Sequence, residues 1–148
     1  MSQEIFVVDD DPDFQFIFFK LLKGLKTQYP VKFFENPRAL YQHLKILQHK
    51  DEDMLPALII LDLNMPGMNG MQLLKMLRSA RSSTESKIGQ IPVVIMSGDI
   101  PNDQIQFYYE AGANAVLQKQ PDFKVMKTTI QSVCNFWLER KSAYIPAG

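Results

Sequence analysis

The sequence predicts an α/β domain of the doubly wound type, a five-stranded parallel sheet in the order 2-1-3-4-5 with helices on both faces. Three observations carry this. Short apolar runs alternate five times with segments whose apolar residues recur at helical spacing. The connections between them are short, which forces parallel neighbours and right-handed crossovers. The run Leu58-Ile59-Ile60-Leu61 is unbroken and partly β-branched, as expected of a strand buried on both faces. The order 2-1-3-4-5 is the simplest and sets strands one and three side by side at the switch point, where ligands bind beyond the strand ends.

Taken in order, Glu4 to Val8 reads as the first strand and runs into Asp9, Asp10 and Asp11. Pro12 opens a helix with Asp11 as its N-cap. Phe14, Ile17, Phe18, Leu21, Leu22 and Leu25 should face the sheet, with Phe16 and Phe19 off that stripe, at its margin in preference to a partner surface. Val31 to Glu35 is the second strand, and Asn36-Pro37 caps a helix carrying Leu40, Leu44 and Leu47. His43 and His49 lack a second histidine at ligand spacing and read as solvated surface residues. Gln48 to Pro56 reads as a polar loop.

The central strand ends in Asp62, followed by Leu63-Asn64-Met65-Pro66-Gly67-Met68-Asn69-Gly70. Pro66 fixes φ, Gly67 and Gly70 permit positive φ, and Asn69 is placed to cap the next helix, which carries Leu73, Leu74 and Leu77 and fades near Ala80. Arg81 to Gln90 is Ser-rich without apolar period, a composition that suggests mobility. Ile91 to Met96 is the fourth strand, ending in Ser97-Gly98-Asp99. Pro101 starts a helix that Gly112 stops as its C′ residue. Ala115 to Gln118 is the fifth strand, delivering Lys119, and Asp122 to about Arg140 is helical with Met126, Ile130, Val133 and Trp137 on one face.

Composition bounds the function. The apolar share of 46% and charged share of 22% fit one ordinary globular domain, set here at residues 3–140 with a short tail over 141–148. Zero net charge argues against a basic face for nucleic acid or an anionic membrane. The lone Cys134 falls on an apolar helical stripe and reads as a small buried hydrophobe. A single cysteine cannot form an internal disulfide, so a reducing, cytoplasmic setting is expected; no basic leader and no membrane-length apolar run occurs.

In the predicted topology Asp9, Asp10, Asp62, Ser97 and Lys119 converge at the carboxyl ends of the strands. Two carboxylates about 4 Å apart at an effective dielectric near 20 repel by on the order of 4 kcal/mol. A hard divalent cation relieves this, and Mg²⁺ suits one or two carboxylates with a backbone carbonyl nearby. Asp62 is then placed to act as a nucleophile toward phosphorus. The spreading negative charge of the transferring group would be met by the cation, by the Lys119 ammonium and by the Ser97 hydroxyl. Singly these residues signal little, since a strand-end Asp is more often a turn residue and an acidic triplet a helix start. Together they form a specific pattern.

That pattern resembles a response-regulator receiver domain, with the flavodoxin/CheY-like (βα)5 fold, over about residues 3 to 140. The resemblance implies that Asp62 accepts a phosphoryl group from a phosphohistidine, that Asp9 and Asp10 organise Mg²⁺ (or Mn²⁺) with Asp62 and the backbone carbonyl of Asn64, and that Ser97 and Lys119 bind the phosphoryl oxygens. It implies a sensor histidine kinase or histidine phosphotransfer protein as donor and a protein target, with no nucleic acid or membrane partner. The chain is expected to be a monomer or weak homodimer and to catalyse only its own phosphorylation and dephosphorylation.

Two details depart from the family pattern, and a further pair of positions bears on the lifetime of the product. Gln120 separates Lys119 from Pro121, so either the loop is one residue longer or a cis bond lies at Gln120-Pro121, where cis is accessible. Val116 stands where an aromatic residue usually reports activation, which removes the aromatic part of that relay. Asn64 and Asp99, two residues beyond Asp62 and Ser97, are placed to modulate the lifetime of an acyl phosphate. The residues after the last helix are too few for a DNA-binding module, so the expected output is a surface change on the fourth helix, fifth strand and fifth helix, or onward phosphotransfer. A flavin or dinucleotide binder shares the fold, but an acidic triplet after strand one repels phosphate. An aspartyl phosphatase usually carries its nucleophile after the first strand, and a phosphate-independent scaffold would have no need of the intact acidic pair and Lys119.

Overall fold

Alternation of side chains across the strands sorts the apolar residues into two cores. The structure, a computed structural model, describes residues 2–65, 69–79 and 87–139. Its strands are β1 (Ile5–Val8), β2 (Val31–Phe34), β3 (Leu58–Leu61), β4 (Val93–Ser97) and β5 (Ala115–Gln118), all parallel in the order β2-β1-β3-β4-β5. Phe6, Val8, Ile59, Leu61, Val93 and Ile95 point to one face, where they pack with Leu40, Leu44, Leu73, Leu74 and Leu77. Ile5, Val7, Leu58, Ile60, Val94 and Met96 point to the other and meet Phe14, Phe18, Leu21, Met126 and Ile130. The three inner strands are therefore apolar at nearly every position, and each fully buried Leu, Ile or Phe contributes about 1.5–3 kcal/mol.

The helices are α1 (Pro12–Lys23), α2 (Pro37–Lys50), α3 (Gly70–Ser79), α4 (Ile105–Glu110) and α5 (Phe123–Trp137). Side chains cap their starts, at Asp11 and Asn36 as expected and at Asp122 without having been foreseen. Asp11 accepts from the Asp13 N–H, Asn36 from Ala39, and Asp122 from Lys124 and Val125. Asn69 and Gln72 exchange side-chain and backbone bonds at 2.9 and 3.1 Å, a reciprocal box at the head of α3. Gly112 (φ +111°) ends α4 as a C′ residue: its N–H donates to Tyr109 and that of Ala113 to Tyr108. Cys134 is buried as expected, and burial pushes its thiol up to about 12, which leaves it unreactive.

Several expectations need correction. The polar stretch from Gln48 is not a loop throughout, because α2 runs on to Lys50 and Glu52–Met54 forms a 3-10 turn. Pro101 does not begin α4; a 3-10 turn at Asn102–Gln104 precedes it. Gly70 has no positive φ, and its smallness matters for close approach instead, since a Cβ there would lie 2.8 Å from Leu63 Cδ2 and 3.2 Å from the Asp62 carbonyl. Ile17 is 37% exposed, and Phe16 and Phe19 project outward beneath the ammonium groups of Lys20 and Lys23. His43 is not solvated: it is half-buried, with the rings of Phe6 and Phe34 at 5.7 and 5.5 Å, whereas His49 is exposed. The Ser-rich stretch over 80–86, the turn residues 66–68 and the tail from 140 lie outside the described residues.

Arg78 was not singled out by the sequence, yet it ties the domain together. Nearly buried, its guanidinium donates to the carbonyls of Gly89, Ile91 and Gly112 and to Asn114 Oδ1, at 2.7–3.0 Å. Its stem lies where a side chain on residue 112 would go, a built Cβ meeting Arg78 Cγ at 2.5 Å. Gly112→Ala is therefore expected to destabilise the fold by about 1–2 kcal/mol from the positive φ alone, and by more from the contact with Arg78; urea denaturation measures the loss.

Burial lowers the pKa of His43 in the folded chain, with Lys32 acting in the same direction and Glu4 opposing. The unfolded chain thus takes up the proton first as pH falls. The contribution of His43 is complete above its ordinary value of 6.5 and is lost as pH drops through the window just below it. Urea midpoints taken between about pH 7.5 and about pH 5 should decline more in the wild type than in His43→Phe.

Candidate functional site

The sheet register assembles the site. Val8 pairs with Leu61, so the next residues, Asp9 and Asp62, emerge side by side from β1 and β3. Their backbones continue the ladder, Asp62 N–H donating to Val8 O and Asp9 N–H to Phe34 O, both at 3.0 Å. Ser97 ends β4, and its carbonyl accepts from the Lys119 N–H at 2.8 Å. Four strands thereby deliver polar side chains to one rim of an otherwise apolar sheet.

Carboxylate oxygens of Asp9, Asp10 and Asp62 lie within 4.8 Å of one another. Asp9 and Asp62 are 1% and 6% exposed, while Asp10 is open to solvent. Lys119 Nζ stands 2.6 Å from Asp9 Oδ2 and 3.9 Å from Asp62 Oδ2, so it pairs with the first and only approaches the second. The Ser97 hydroxyl, fully buried, donates to Asp62 Oδ1 at 2.9 Å and accepts from Asn64 Nδ2 at 3.1 Å. Asp9 is fixed from its own strand end: Asp11 N–H donates to its Oδ1 at 2.9 Å and Gln15 Nε2 to its carbonyl at 2.6 Å.

Three carboxylates against one ammonium leave an excess of two negative charges in a partly dry pocket. Burial accordingly raises the pKa of Asp9, against the opposing pull of Lys119 and the Asp11 N–H, and the neighbouring Asp62 pushes it further up. Apart from the Lys119 ammonium, Asp9 Oδ2 has no polar partner among the described residues. An all-oxygen, doubly negative donor set with a free lone pair fits a hard divalent ion such as Mg²⁺ or Mn²⁺, and does not suit a soft one.

Of the residues predicted from the sequence, Asp9, Asp10, Asp62, Asn64, Ser97 and Lys119 are brought together. Asp99 is exposed and takes no part in the hydrogen bonds of the cluster. Val116 packs against the core, and its N–H, on the outer edge of β5, donates to the Tyr109 hydroxyl of α4 at 3.1 Å. No peptide bond among the described residues is cis, so Gln120-Pro121 is trans and the cis alternative is withdrawn. Sequence reasoning missed Gln15 and the link from Asn64 through Ser97 to Asp62. It also placed Phe14 only in the core, whereas its ring lies 4.1 Å from Lys119 Nζ.

Comparison with known proteins agrees with this geometry. The chain is 27% identical to the chemotaxis protein CheY of Pseudomonas aeruginosa over 130 residues, 88% of this chain and 94% of that one. It is 32% identical to the response regulator Rcp1 of Synechocystis over 84 residues, 57% of this chain and 54% of that protein. The structure of the Mn(2+)-bound form of Rcp1 superposes with a TM-score of 0.78 at 25% identity, covering 99% of this chain and all of the other. A more local match, 43% over 61 residues, spans 41% of this chain and 8% of the sensory/regulatory protein RpfC of Xanthomonas campestris. The profile of the response regulator receiver domain matches residues 5–131, and the chain belongs to that family.

Proposed function

We propose that this chain is a response regulator that accepts a phosphoryl group from a phosphohistidine onto Asp62, and that the change is read by a partner protein or the group is passed on. The observation that carries this reading is the meeting of Asp62 with two further carboxylates and Lys119 at one strand-end rim. Residues 3–140 form the receiver unit in this reading, and the donor is a sensor histidine kinase or a histidine phosphotransfer protein. Among the described residues no helix is long and apolar enough to cross a membrane.

In the reaction a carboxylate oxygen of Asp62 attacks phosphorus, the P–N bond to the donor imidazole breaks, and the imidazole nitrogen leaves with the electron pair. Oδ2 is the freer oxygen, since Oδ1 already accepts from Ser97 and, at 3.4 Å, from the Asn64 N–H. The Lys119 ammonium, close to both Asp9 and Asp62, neutralises charge on the transferring oxygens. The Ser97 hydroxyl passes from Asp62 Oδ1 to a phosphoryl oxygen, and this shift is transmitted through β4 to α4. Asp9, Asp10, Asp62 and the Asn64 carbonyl would hold Mg²⁺ or Mn²⁺, which supplies further charge neutralisation of the phosphoryl oxygens. The Mn(2+)-bound form of Rcp1 supports that choice of ion.

Incubation with acetyl phosphate, followed by intact-protein mass measurement, tests this. The wild type should gain a hydroxylamine-labile phosphate only with Mg²⁺, Asp62→Asn none, and Lys119→Ala should react roughly 10²-fold more slowly. No adduct in the wild type, with a melting temperature still raised by Mg²⁺, would favour a phosphate-independent scaffold. Mg²⁺ at about 100 times its Kd should stabilise the wild type by about 2.7 kcal/mol, an effect lost in Asp10→Ala and readable by thermal denaturation. On the same reading Asn64 and Asp99 set the lifetime of the acyl phosphate, so exchanging them for other side chains should alter the dephosphorylation rate; an unchanged rate removes them from that role.

A further inference from the structure

A lysine at a strand end carries four rotatable carbons and about 2 kcal/mol of rotamer entropy, so something must aim it. Asp9 holds the Lys119 ammonium at 2.6 Å, yet Asp9 is also one of the three carboxylates suited to a metal ion. A carboxylate that shares its charge with a divalent cation holds a neighbouring ammonium less firmly. A second restraint that is not itself a metal ligand would keep the lysine in place.

Phe14 has the required properties. It is 5% exposed, on the first turn of α1, and the Lys119 Nζ lies 4.1 Å from its ring centroid, within cation–π range. The ring is itself fixed: Phe18, one turn on, packs against it at 5.9 Å with the planes tilted by 41°, and Phe18 meets Phe33 of β2 edge-on at 6.3 Å. The ammonium thus has Asp9 at 2.6 Å, Asp62 at 3.9 Å and an aromatic face at 4.1 Å, with the Lys119 side chain only 18% exposed. The ring attracts the charge through its quadrupole, neither neutralising it nor competing for a cation.

We propose that Phe14 is a positioning residue, whose ring face keeps the Lys119 ammonium directed at Asp62 when the carboxylates are engaged by a divalent ion. This inference rests on the reading of Asp62 as phosphoacceptor and of Lys119 as its phosphoryl ligand. It also explains the placement of an aromatic residue where any apolar side chain would fill the core.

The test replaces Phe14 with 4-fluoro-, 3,5-difluoro- and 3,4,5-trifluorophenylalanine, which withdraw electron density from the ring face at nearly constant shape. At saturating Mg²⁺, the logarithm of the acetyl phosphate reaction rate should fall stepwise with fluorine number, by about tenfold across the series, with the Mg²⁺ midpoint unchanged. Independently of any reaction, the ε-methylene protons of Lys119 should show ring-current upfield NMR shifts with and without Mg²⁺, relieved in Phe14→Leu. Equal rates across the fluorinated series overturn the proposal even if Asp62 is phosphorylated, since a core-filling role is blind to ring electronics. Unshifted Lys119 protons in the Mg²⁺-loaded wild type overturn it as well. A wild type that shows the shift but never gains phosphate overturns the phosphoacceptor reading and leaves the contact standing.

Discussion

Three carboxylates, two of them almost wholly removed from water, crowd one end of the sheet, and their mutual repulsion is what the rest of the site is arranged around. At separations under 5 Å such groups cost several kcal/mol when all are ionised, unless positive charge or donors intervene. The fold supplies a little of each. Lys119 reaches across from β5, Ser97 and the Asp11 N–H donate from β4 and the head of α1, and the pKa of Asp9 is still raised, chiefly by its burial and to a lesser degree by Asp62. The residual negative charge makes the pocket a receptor for a divalent cation.

That cost is carried by a scaffold with little freedom. The three inner strands are buried on both faces, and their register places Asp9 beside Asp62 through backbone bonds that continue past the strand ends. A slip of one residue would turn these side chains into the helical layers. Gly70 lets α3 begin close against the Asp62 carbonyl, and Arg78 pins the other end of α3 to the turns before β4 and β5. The parts of the chain that hold the acidic rim are thus coupled to α3 and α4. In the proposed function this coupling is the route from Asp62 to the outer surface of the domain.

Much of this was legible in the amino-acid order. Helical and strand periods located the five strands and five helices of the described residues, and Asp11, Asn36 and Asn69 announced the starts of three helices through their cap chemistry. The acidic rim followed from topology, because strand ends in a parallel sheet must share an edge. What escaped was set by three-dimensional distance or by crowding. His43 lies beside the buried Leu40 and Leu44 on α2, and only the rings of Phe6 and Phe34 make its position a packed one. Gly70 resembles a turn glycine in sequence, and its true constraint is the neighbouring Leu63. The contact between Phe14 and Lys119 joins opposite ends of the chain and has no local signature. The insertion of Gln120 gave two alternatives, and a trans peptide leaves the longer loop.

In the proposed function Asp62, rather than Asp9 or Asp10, carries the phosphoryl group. Borohydride reduction of the phosphorylated protein converts the modified aspartate to homoserine, which peptide mass spectrometry can place within the sequence. Homoserine is expected at position 62 alone, formed only after exposure to the phosphodonor with Mg²⁺. Homoserine at position 9 or 10, or phosphate on a residue that borohydride does not reduce, would contradict it.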